Sequence, residues 1–173
     1  GIETTDGEQN FDIIVWATGF DFGTGALNRM GIRGREGRAL EDHWADGPCT
    51  FLGVQTTGFP NLFFPGGPHA AAGNNPRYNG DQVDFITEVL IDARERGNSV
   101  IEVDPAAEDE WTGMVDRWAR HGSFTEKSYY YGTNVPGKPR RYLLNSGGRP
   151  KLFSVIAEVI ENEYRVFRPS PPE

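Results

Sequence analysis

A glycine-rich turn ahead of a helix start is the stretch of this sequence with the clearest chemical potential. Pro65-Gly66-Gly67-Pro68 follows an apolar run, residues 62–64, that predicts a short buried strand. Further on, Asn75-Pro76 is typical of a helix N-terminus, with Asn75 as the N-cap and proline in the first helical position. Such a turn and helix start can together present unpaired N–H donors to a flat or anionic group. The pattern is weak evidence by itself, because many α/β crossovers share it and bind nothing.

Three helices are predicted to position this turn, each from apolar residues at helical spacing. The first follows Asn75, ends near Gly97 and buries Val83, Ile86, Val89, Leu90 and Ala93. The second opens at Asp104-Pro105, ends at Gly122 and carries a packing stripe of Ala107, Trp111, Met114, Val115 and Trp118. The alternative to a packing stripe is that the two tryptophans of this helix form a stacking platform. The third begins at Pro150 and turns Leu152, Ile156, Val159 and Ile160 inward.

Strands are predicted in the first third of the chain. An extended piece over residues 1–5 and an Asp6-Gly7 turn lead to a β-rich run over residues 11–16. That run is apolar on both faces, so it needs neighbours on both sides, which one hairpin cannot supply. We therefore expect the chain to be part of a longer protein. Ile32 and Leu40 flank a predicted pair of short strands, residues 51–54 predict another, and His43 is expected at the surface.

The composition describes a globular chain and excludes several classes of partner. Of its 173 residues 37% are hydrophobic, and 22 glycines and 12 prolines indicate many ordered turns. A net charge of -8 argues against nucleic acid as a general partner. No apolar run is long enough to predict a membrane span, and no signal peptide opens the sequence. The single Cys49, interpreted as a small buried hydrophobe, excludes an internal disulfide. A cytoplasmic protein is expected.

Four segments together resemble one enzyme family. Ala17-Thr18-Gly19, preceded by an apolar run, is similar to a motif of flavin-dependent monooxygenases with two dinucleotide-binding domains. Three further segments follow in order, namely Gly25-Ala26-Leu27, the residues 58–64 and Gly132-Thr133-Asn134-Val135-Pro136-Gly137-Lys138-Pro139. With this spacing the chain resembles the C-terminal portion of Baeyer–Villiger monooxygenases. Within that family, the segment His-Ala-Ala-Ala-Gly-Asn-Asn-Pro from residue 69 resembles the branch acting on large-ring or long-chain ketones more than the branch acting on cyclohexanone and phenylacetone.

The resemblance implies a fold and an activity. The fold would be α/β, the C-terminal part of a flavoprotein with Rossmann-like FAD- and NADP-binding domains. Residues 1–24 would close the NADP-binding half, and residues 25–173 would belong to the FAD-binding domain, with a mobile loop about 123–141. The full-length enzyme would use FAD, NADPH and O2 to insert oxygen beside a ketone carbonyl through a flavin peroxide. No G-x-G-x-x-G occurs in the chain, so the phosphate loops and the catalytic arginine are expected upstream, and the isolated chain is expected to be inactive.

The resemblance also assigns candidate site residues. The cofactor-binding candidates are Thr18, Gly19, Gly66, Gly67, Pro68, Asn74, Asn75, Tyr129 and Asn134. The substrate-binding candidates, mostly small residues that leave room for a bulky ketone, are Ala70, Ala71, Ala72, Gly73 and Tyr130. No catalytic residue and no metal ligand is assigned within the chain. Tyr129 stands where the family often has a tryptophan in a lid over the nicotinamide ribose.

Two interpretations remain open beside this one. An N- or S-oxidising flavin monooxygenase would share Ala17-Thr18-Gly19 but is not expected to share the loop at residues 134–139. A non-catalytic interaction module derived from a flavoprotein is the other. Between Lys127 and Ala157 the chain carries six basic residues and no acid, which indicates either an anion-facing patch or a loop that balances a neighbouring acidic surface.

Overall fold

The computed structural model describes residues 1–70, 73–121 and 127–168 as a mixed α/β structure. In chain order the strands and helices are β1 (Ile2–Thr4), β2 (Gly7–Gln9), α1 (Gly25–Arg29), α2 (Leu40–His43), α3 (Asn75–Glu95), β3 (Glu102–Val103), α4 (Pro105–Arg120), α5 (Gly148–Glu161) and β4 (Phe167–Arg168). Short 3-10 turns lie at Arg35–Gly37 and Tyr129–Tyr131. The strands form two antiparallel pairs, β1 with β2 and β3 with β4. In the described part of the chain, no helix is long and apolar enough to cross a bilayer.

The apolar run at residues 11–16 is not a strand, contrary to the sequence prediction. The hairpin turns where expected, since Thr4 pairs with Gly7, but its second strand ends at Gln9. Ile13 and Val15 are then 82% and 81% exposed. A strand needs backbone partners, and none of the described residues pairs with this run. The prediction that it needs neighbours on both sides agrees with its exposure.

The helix α3 forms as predicted, with two differences. Its N-cap is Asn74 rather than Asn75, because the Asn74 side chain accepts a hydrogen bond from the Arg77 N–H at 3.2 Å. Val83 and Leu90 are about half exposed, whereas Tyr78 and Phe85 are buried. The buried face is therefore rotated towards the aromatic residues. The helix ends as predicted, with Gly97 in the left-handed region and its N–H bonded to the Arg94 carbonyl.

The helices α4 and α5 complete the main core. Asp104 caps α4 through the Ala106 N–H, and the predicted tryptophan stripe packs inward, with Trp111 fully buried. The interpretation as a packing stripe is confirmed, while the predicted end at Gly122 lies outside the described residues. The helix α5 begins at Gly148, two residues before Pro150, and its Ile160 is half exposed rather than buried.

Most predicted short strands between α1 and α3 are turns instead. Arg33 and Ala39 form an isolated bridge, as do Phe51 and Gln55, and residues 62–64 have no strand pairing. Phe64 is nevertheless buried, and its N–H donates to the Val54 carbonyl. His43 is half buried rather than at the surface. Its Nε2 lies 3.2 Å from the Thr56 hydroxyl, and burial lowers its pKa.

Gln82 joins the glycine turn to the rest of the fold. It is fully buried on α3, its Oε1 accepts from the Gly66 N–H at 2.8 Å, and its Nε2 donates to the Leu52 carbonyl at 2.7 Å. Leu52 has a φ of 53°, in the left-handed region that non-glycine residues rarely adopt. One side chain thus satisfies two buried backbone groups and holds two tight turns together.

Replacing this amide is expected to destabilise the fold strongly. In Gln82→Met the Gly66 N–H and the Leu52 carbonyl lose their partners, and each unsatisfied buried group costs about 1–3 kcal/mol. We expect the free energy of unfolding, measured by urea denaturation, to fall by at least about 2 kcal/mol. Glu88→Met, a similar change at an exposed position of the same helix, is the control. Equal stability of the two variants would contradict this role for Gln82.

Candidate functional site

A cleft of about 340 Å³ lies where the glycine turn, the start of α3 and the segment after residue 20 meet. Its lining includes Gly66, Gly67 and Asn75, three of the predicted cofactor-binding residues. Phe22 and Leu143 also line it. We refer to this space as the cleft, and it is the place where the structure brings predicted site residues together.

The glycine turn does not offer free N–H donors, which corrects the sequence interpretation. The Gly66 N–H is bonded to Gln82, and the Gly67 N–H donates to the Phe64 carbonyl at 3.1 Å. A Cβ at Gly67 would come within 2.3 Å of the Phe64 ring. Glycine is thus required there for close packing. The turn can border a flat ligand, but its backbone amides are already used.

Asn134 holds the backbone of the Ala17-Thr18-Gly19 motif. Its Nδ2 donates to the Phe20 carbonyl at 2.9 Å and lies 3.4 Å from the Thr18 carbonyl. Gly19 has a φ of 84°, and a Cβ at this position would lie 3.1 Å from the same Nδ2. The glycine therefore permits the approach of Asn134. Two motifs more than 110 residues apart in sequence are joined here, which no spacing rule predicts.

Lys138, four residues after Asn134, also joins this loop to the segment that follows the Ala17-Thr18-Gly19 motif. Its Nζ donates to Asp21 Oδ1 at 2.5 Å and to the Phe22 carbonyl at 2.8 Å, and its side chain is only 8% exposed. A shielded ammonium with a carboxylate and a carbonyl partner is strongly held. Because Asp21 and Phe22 both line the cleft, this lysine fixes one side of it.

The predicted tyrosines lie behind that side of the cleft. The rings of Tyr129 and Tyr130 meet Phe22 edge-on at centroid distances of 5.7 Å and 5.3 Å. The Tyr130 carbonyl accepts from the Leu143 N–H. In this structure the tyrosines contact Phe22 but do not line the cleft. Residues 123–126 of the predicted mobile loop lie outside the described residues, and its role as a lid stays a prediction.

The other candidates are dispersed around the cleft. Ala70 is 1% exposed and packs in the main core. A Cβ added at Gly53 would lie 2.6 Å from the Cβ of Ala70. Its contact with a substrate stays a prediction. The Pro68 carbonyl accepts from the Thr50 hydroxyl at 2.9 Å, and Gly73 is exposed with a φ of 135°. Ala71 and Ala72 lie outside the described residues.

His69, between these residues, is a buried imidazole in a left-handed backbone conformation. Its φ is 67°, and its Nδ1 lies 3.2 Å from the Thr50 hydroxyl. Burial, together with the positive charge of Arg141, lowers the pKa of His69 to about 3. The ring is therefore neutral at pH 7, and the backbone N–H of His69 donates to the carbonyl of Leu143, which lines the cleft.

Three of the six basic residues from Lys127 to Lys151 are paired with acids from distant segments. Lys138 pairs with Asp21, Arg141 with Asp116 at 2.9 Å, and Arg149 with Asp81 at 2.7 Å. Hydrogen bonding to Arg149 lowers the pKa of Asp81. For these three residues the structure favours a segment that balances acidic surfaces over an anion-facing patch.

Sequence comparisons find enzymes named as monooxygenases. Acetone monooxygenase of Gordonia sp. is 41% identical over 172 residues, and cyclopentanone 1,2-monooxygenase of Comamonas sp. is 39% identical over 170 residues. Phenazine N-monooxygenase PhzNO1 of Lysobacter antibioticus is 38% identical over 169 residues. Each comparison covers 96% of this chain and 31–32% of the relative, so the chain spans about a third of the length of these curated relatives. No protein-family model matches the chain.

Structural comparison leads to the same family. The closed crystal structure of cyclohexanone monooxygenase is 38% identical and superposes with a TM-score of 0.89, covering 99% of this chain and 33% of that one. Over nearly its whole length this chain matches a part of enzymes of the Baeyer–Villiger monooxygenase family. Oxidized steroid monooxygenase bound to NADP, 32% identical, superposes with a TM-score of 0.77 over 87% of this chain and 28% of that one. The α/β fold class and the family resemblance are thereby confirmed.

Some residues of this cleft were not predicted from the sequence. Phe22, Gly23, Asn79 and Leu143 line it, and Asp21 and Lys138 fix its edge. Asn79 lies one helical turn after Asn75, so the spacing of the two asparagines was a usable signal. Its Oδ1 is buried without a hydrogen-bond partner among the described residues. The contact between Lys138 and Asp21 could not be predicted from the local sequence, because 117 positions separate the two residues.

The Lys138 contact predicts a local change in backbone protection. In Lys138→Met the Phe22 carbonyl and the Asp21 carboxylate lose a charged donor, which contributes about 1.5–3 kcal/mol. We expect amide hydrogen exchange of residues 21–25 to accelerate roughly tenfold or more. Lys127→Met, at an exposed lysine of the same segment, is the control and should leave this exchange unchanged. Unaltered protection in Lys138→Met would show that the lysine does not hold the cleft.

His69 predicts a dependence of stability on pH. The unfolded imidazole takes up a proton below about pH 6.5, whereas the folded ring stays neutral down to a pKa of about 3. Stability contributed by neutral His69 is therefore lost as the pH falls from 6.5 towards 3. Between pH 6 and pH 5 we expect the natural chain to lose about 1 kcal/mol more unfolding free energy than His69→Asn. His121→Asn, at an exposed histidine, should retain the pH dependence of the natural chain. If His69→Asn loses as much unfolding free energy between pH 6 and pH 5 as the natural chain does, the low pKa assigned to His69 is wrong.

Proposed function

We propose that this chain forms the ketone- and flavin-facing part of an FAD- and NADPH-dependent Baeyer–Villiger monooxygenase that converts ketones to esters or lactones with O2. The observation that carries the proposal is the match over 96% of the chain with relatives named for acetone and cyclopentanone oxygenation. The structure supports it with a cleft that gathers residues from four separate segments of the sequence.

The residues of the cleft fit the edge of a flat, partly polar ring. Gly66 and Gly67 contribute a low surface, and Phe22 and Leu143 contribute apolar side chains. The buried Asn79 Oδ1, which has no partner among the described residues, is an acceptor that an N–H of an isoalloxazine could satisfy. Asn75, at the start of α3, places the positive end of the helix dipole at the same edge. When bound, FAD would supply the oxygen-transfer chemistry.

The chain itself would position the side chains that line the cleft. Asn134 and Lys138 hold residues 18–22 against the loop at residues 132–139, so the side of the cleft formed by Phe22 is fixed before a ligand arrives. The rings of Tyr129 and Tyr130 meet Phe22 edge-on and would help to hold it in place. A preformed cleft reduces the reorganisation required when the ketone is bound.

The remaining functions are assigned to the rest of the flavoprotein chain. The sequence has no G-x-G-x-x-G phosphate loop, so the pyrophosphates of FAD and NADPH would be held by other segments, and a catalytic arginine is likewise expected there. Residues 1–24 would then connect the NADP-binding half to the FAD-binding domain at 25–173. The preference for large-ring ketones stays a prediction, since the ketones in the relatives' names are acetone, cyclopentanone and cyclohexanone.

A hybrid enzyme tests the proposal. The matching third of the Comamonas cyclopentanone 1,2-monooxygenase would be replaced by this chain, and FAD content would be measured first to establish folding. We expect NADPH-dependent lactone formation from cyclopentanone by the hybrid and none by the isolated 173 residues with added FAD. A matched hybrid carrying Asn79→Leu, which removes the buried acceptor at similar volume, should bind FAD more weakly. A hybrid that retains FAD but oxidises no ketone in a panel of small and large rings would overturn the proposal.

N-oxidation is a second candidate because phenazine N-monooxygenase PhzNO1 is 38% identical to this chain. The same hybrid separates the two functions when phenazine and cyclopentanone are supplied in parallel. Formation of a phenazine N-oxide without lactone would assign the chain to N-oxidation. Lactone formation without the N-oxide would assign it to ketone oxygenation.

A further inference from the structure

The ion pair between Asp81 and Arg149 joins two segments of the chain that contribute to the cleft. Arg149 Nε donates to Asp81 Oδ2 at 2.7 Å, and Nη2 donates to Asp81 Oδ1 at 2.9 Å. Such a two-point contact fixes direction as well as distance. Asp81 lies on α3, which contributes Asn75 and Asn79 to the lining of the cleft. Arg149 lies at the start of α5, shortly after Leu144, which also belongs to the lining.

Both partners of this ion pair are held in place. The side chain of Asp81 is 16% exposed and that of Arg149 is 37% exposed, so water competes only partly for the contact. The Arg149 guanidinium also lies 4.0 Å from the centre of the Phe153 ring, one turn later on α5, and this attraction adds to the hold on the arginine. Hydrogen bonding to Arg149 lowers the pKa of Asp81, so the carboxylate remains charged over the whole neutral range.

The ion pair restricts the rotation of α3 about its own axis. Gln82 binds the Gly66 N–H of the glycine turn, and Asp81 directly precedes it in the helix. Successive residues of an α-helix point about 100° apart around the axis, so Gln82 and Asp81 hold α3 from two different directions. One of these contacts alone would let the helix pivot about it, whereas the two together prevent this.

Asn79 is the cleft residue that this rotation directs. It precedes Gln82 by three positions and therefore lies on the same side of α3. Its amide is beside the glycine turn, since a Cβ added at Gly66 would lie 2.8 Å from its Oδ1. A rotation of the helix would move this amide along the glycine turn. The direction of Asn79 thus depends on a charged contact on another side of the helix.

We propose that Arg149 is a positioning residue of the cleft, which through Asp81 holds α3 at the rotation that presents Asn79 to the edge of a bound isoalloxazine. The inference rests on the proposed function, since the ring is that of FAD. Arg149 is not among the described residues that line the cleft, so it acts only through the helix. Its loss therefore affects FAD only as long as the Asn79 amide is present.

A double-mutant cycle in the hybrid enzyme described above tests this role, with FAD affinity measured by fluorescence titration of the FAD-free protein. Arg149→Met keeps a long side chain but removes its charge and its donors. In the hybrid with Asn79 it should weaken FAD binding roughly three- to tenfold. In the hybrid that carries Asn79→Leu the same change should have an effect of less than about twofold. At saturating FAD, Arg149→Met should shift the visible absorption band of the flavin in the first hybrid and not in the second.

Two further variants complete the cycle. Asp81→Asn, which has almost the same shape as the natural side chain, breaks the pair from its other end. It should reproduce the pattern of Arg149→Met, and it takes the place of that variant if the latter does not fold. Arg165→Met is the control, because it removes an arginine whose pair with Glu163 is exposed. It should change neither the FAD affinity nor the flavin spectrum.

An arginine that only stabilises the fold would give a different result. Equal weakening of FAD binding by Arg149→Met in the hybrids with and without Asn79, or no weakening in either, would refute the positioning role. Failure of the proposed function is a separate outcome, because a hybrid that binds FAD and oxidises no ketone still completes the cycle.

A hybrid that takes up no FAD would also overturn the proposed function, and the role of Arg149 is then decided without cofactor. Amide hydrogen exchange of residues 75–82 reports the hold on α3 directly. Faster exchange in Arg149→Met, together with unchanged exchange in Arg165→Met, would support the inference. Equal exchange in the two variants would refute it.

Discussion

The shielded ammonium of Lys138 is the contact on which the candidate site depends. It holds the Asp21 carboxylate at 2.5 Å and the Phe22 carbonyl at 2.8 Å, while Asn134 holds the backbone two residues before Phe22. Residues 18–22 belong to no helix or strand, so these side-chain contacts replace the backbone ladder that would otherwise fix them. The position of Phe22, and with it one side of the cleft, follows from a loop more than 110 residues away.

The other side of the cleft is fixed by Gln82. Its buried amide satisfies Gly66 and Leu52 together, so the glycine turn is a packing device rather than an anion cradle. The glycines of this turn matter because they let chain segments approach closely, as the contact of Gly67 with Phe64 shows. A rigid, low surface of this kind suits a flat ring better than a phosphate, whose binding requires free amides.

The parts of this structure that local chemistry decides were predictable from the sequence. The helices α3, α4 and α5 follow from apolar spacing and from caps such as Asp104 and Gly97. The strand predictions failed at residues 11–16 and 62–64, because a strand depends on partners that a local pattern does not identify. The rotated buried face of α3, which exposes Leu90 and buries Phe85, was set by tertiary packing.

The candidate site was predictable in type but only partly in membership. Gly66, Gly67 and Asn75 line one cleft, and their binding of a cofactor stays a prediction. Asn79 joins them in the folded chain, and Lys138 contacts Asp21 at the edge of the cleft. Ala70, expected beside the substrate, packs in the core, and its contact with a substrate stays a prediction. Residue type alone does not show that the small side chain of Ala70 also leaves room for Gly53.

The central claim is that the cleft between Phe22 and the glycine turn receives the edge of the flavin. The most direct measurement is an experimental structure of the hybrid enzyme with FAD and NADP bound. The account predicts that the isoalloxazine edge lies in the cleft, with a ring N–H within hydrogen-bond distance of Asn79 Oδ1 and with the Lys138 contacts intact. A flavin bound elsewhere, with the cleft filled by other protein side chains, would contradict it.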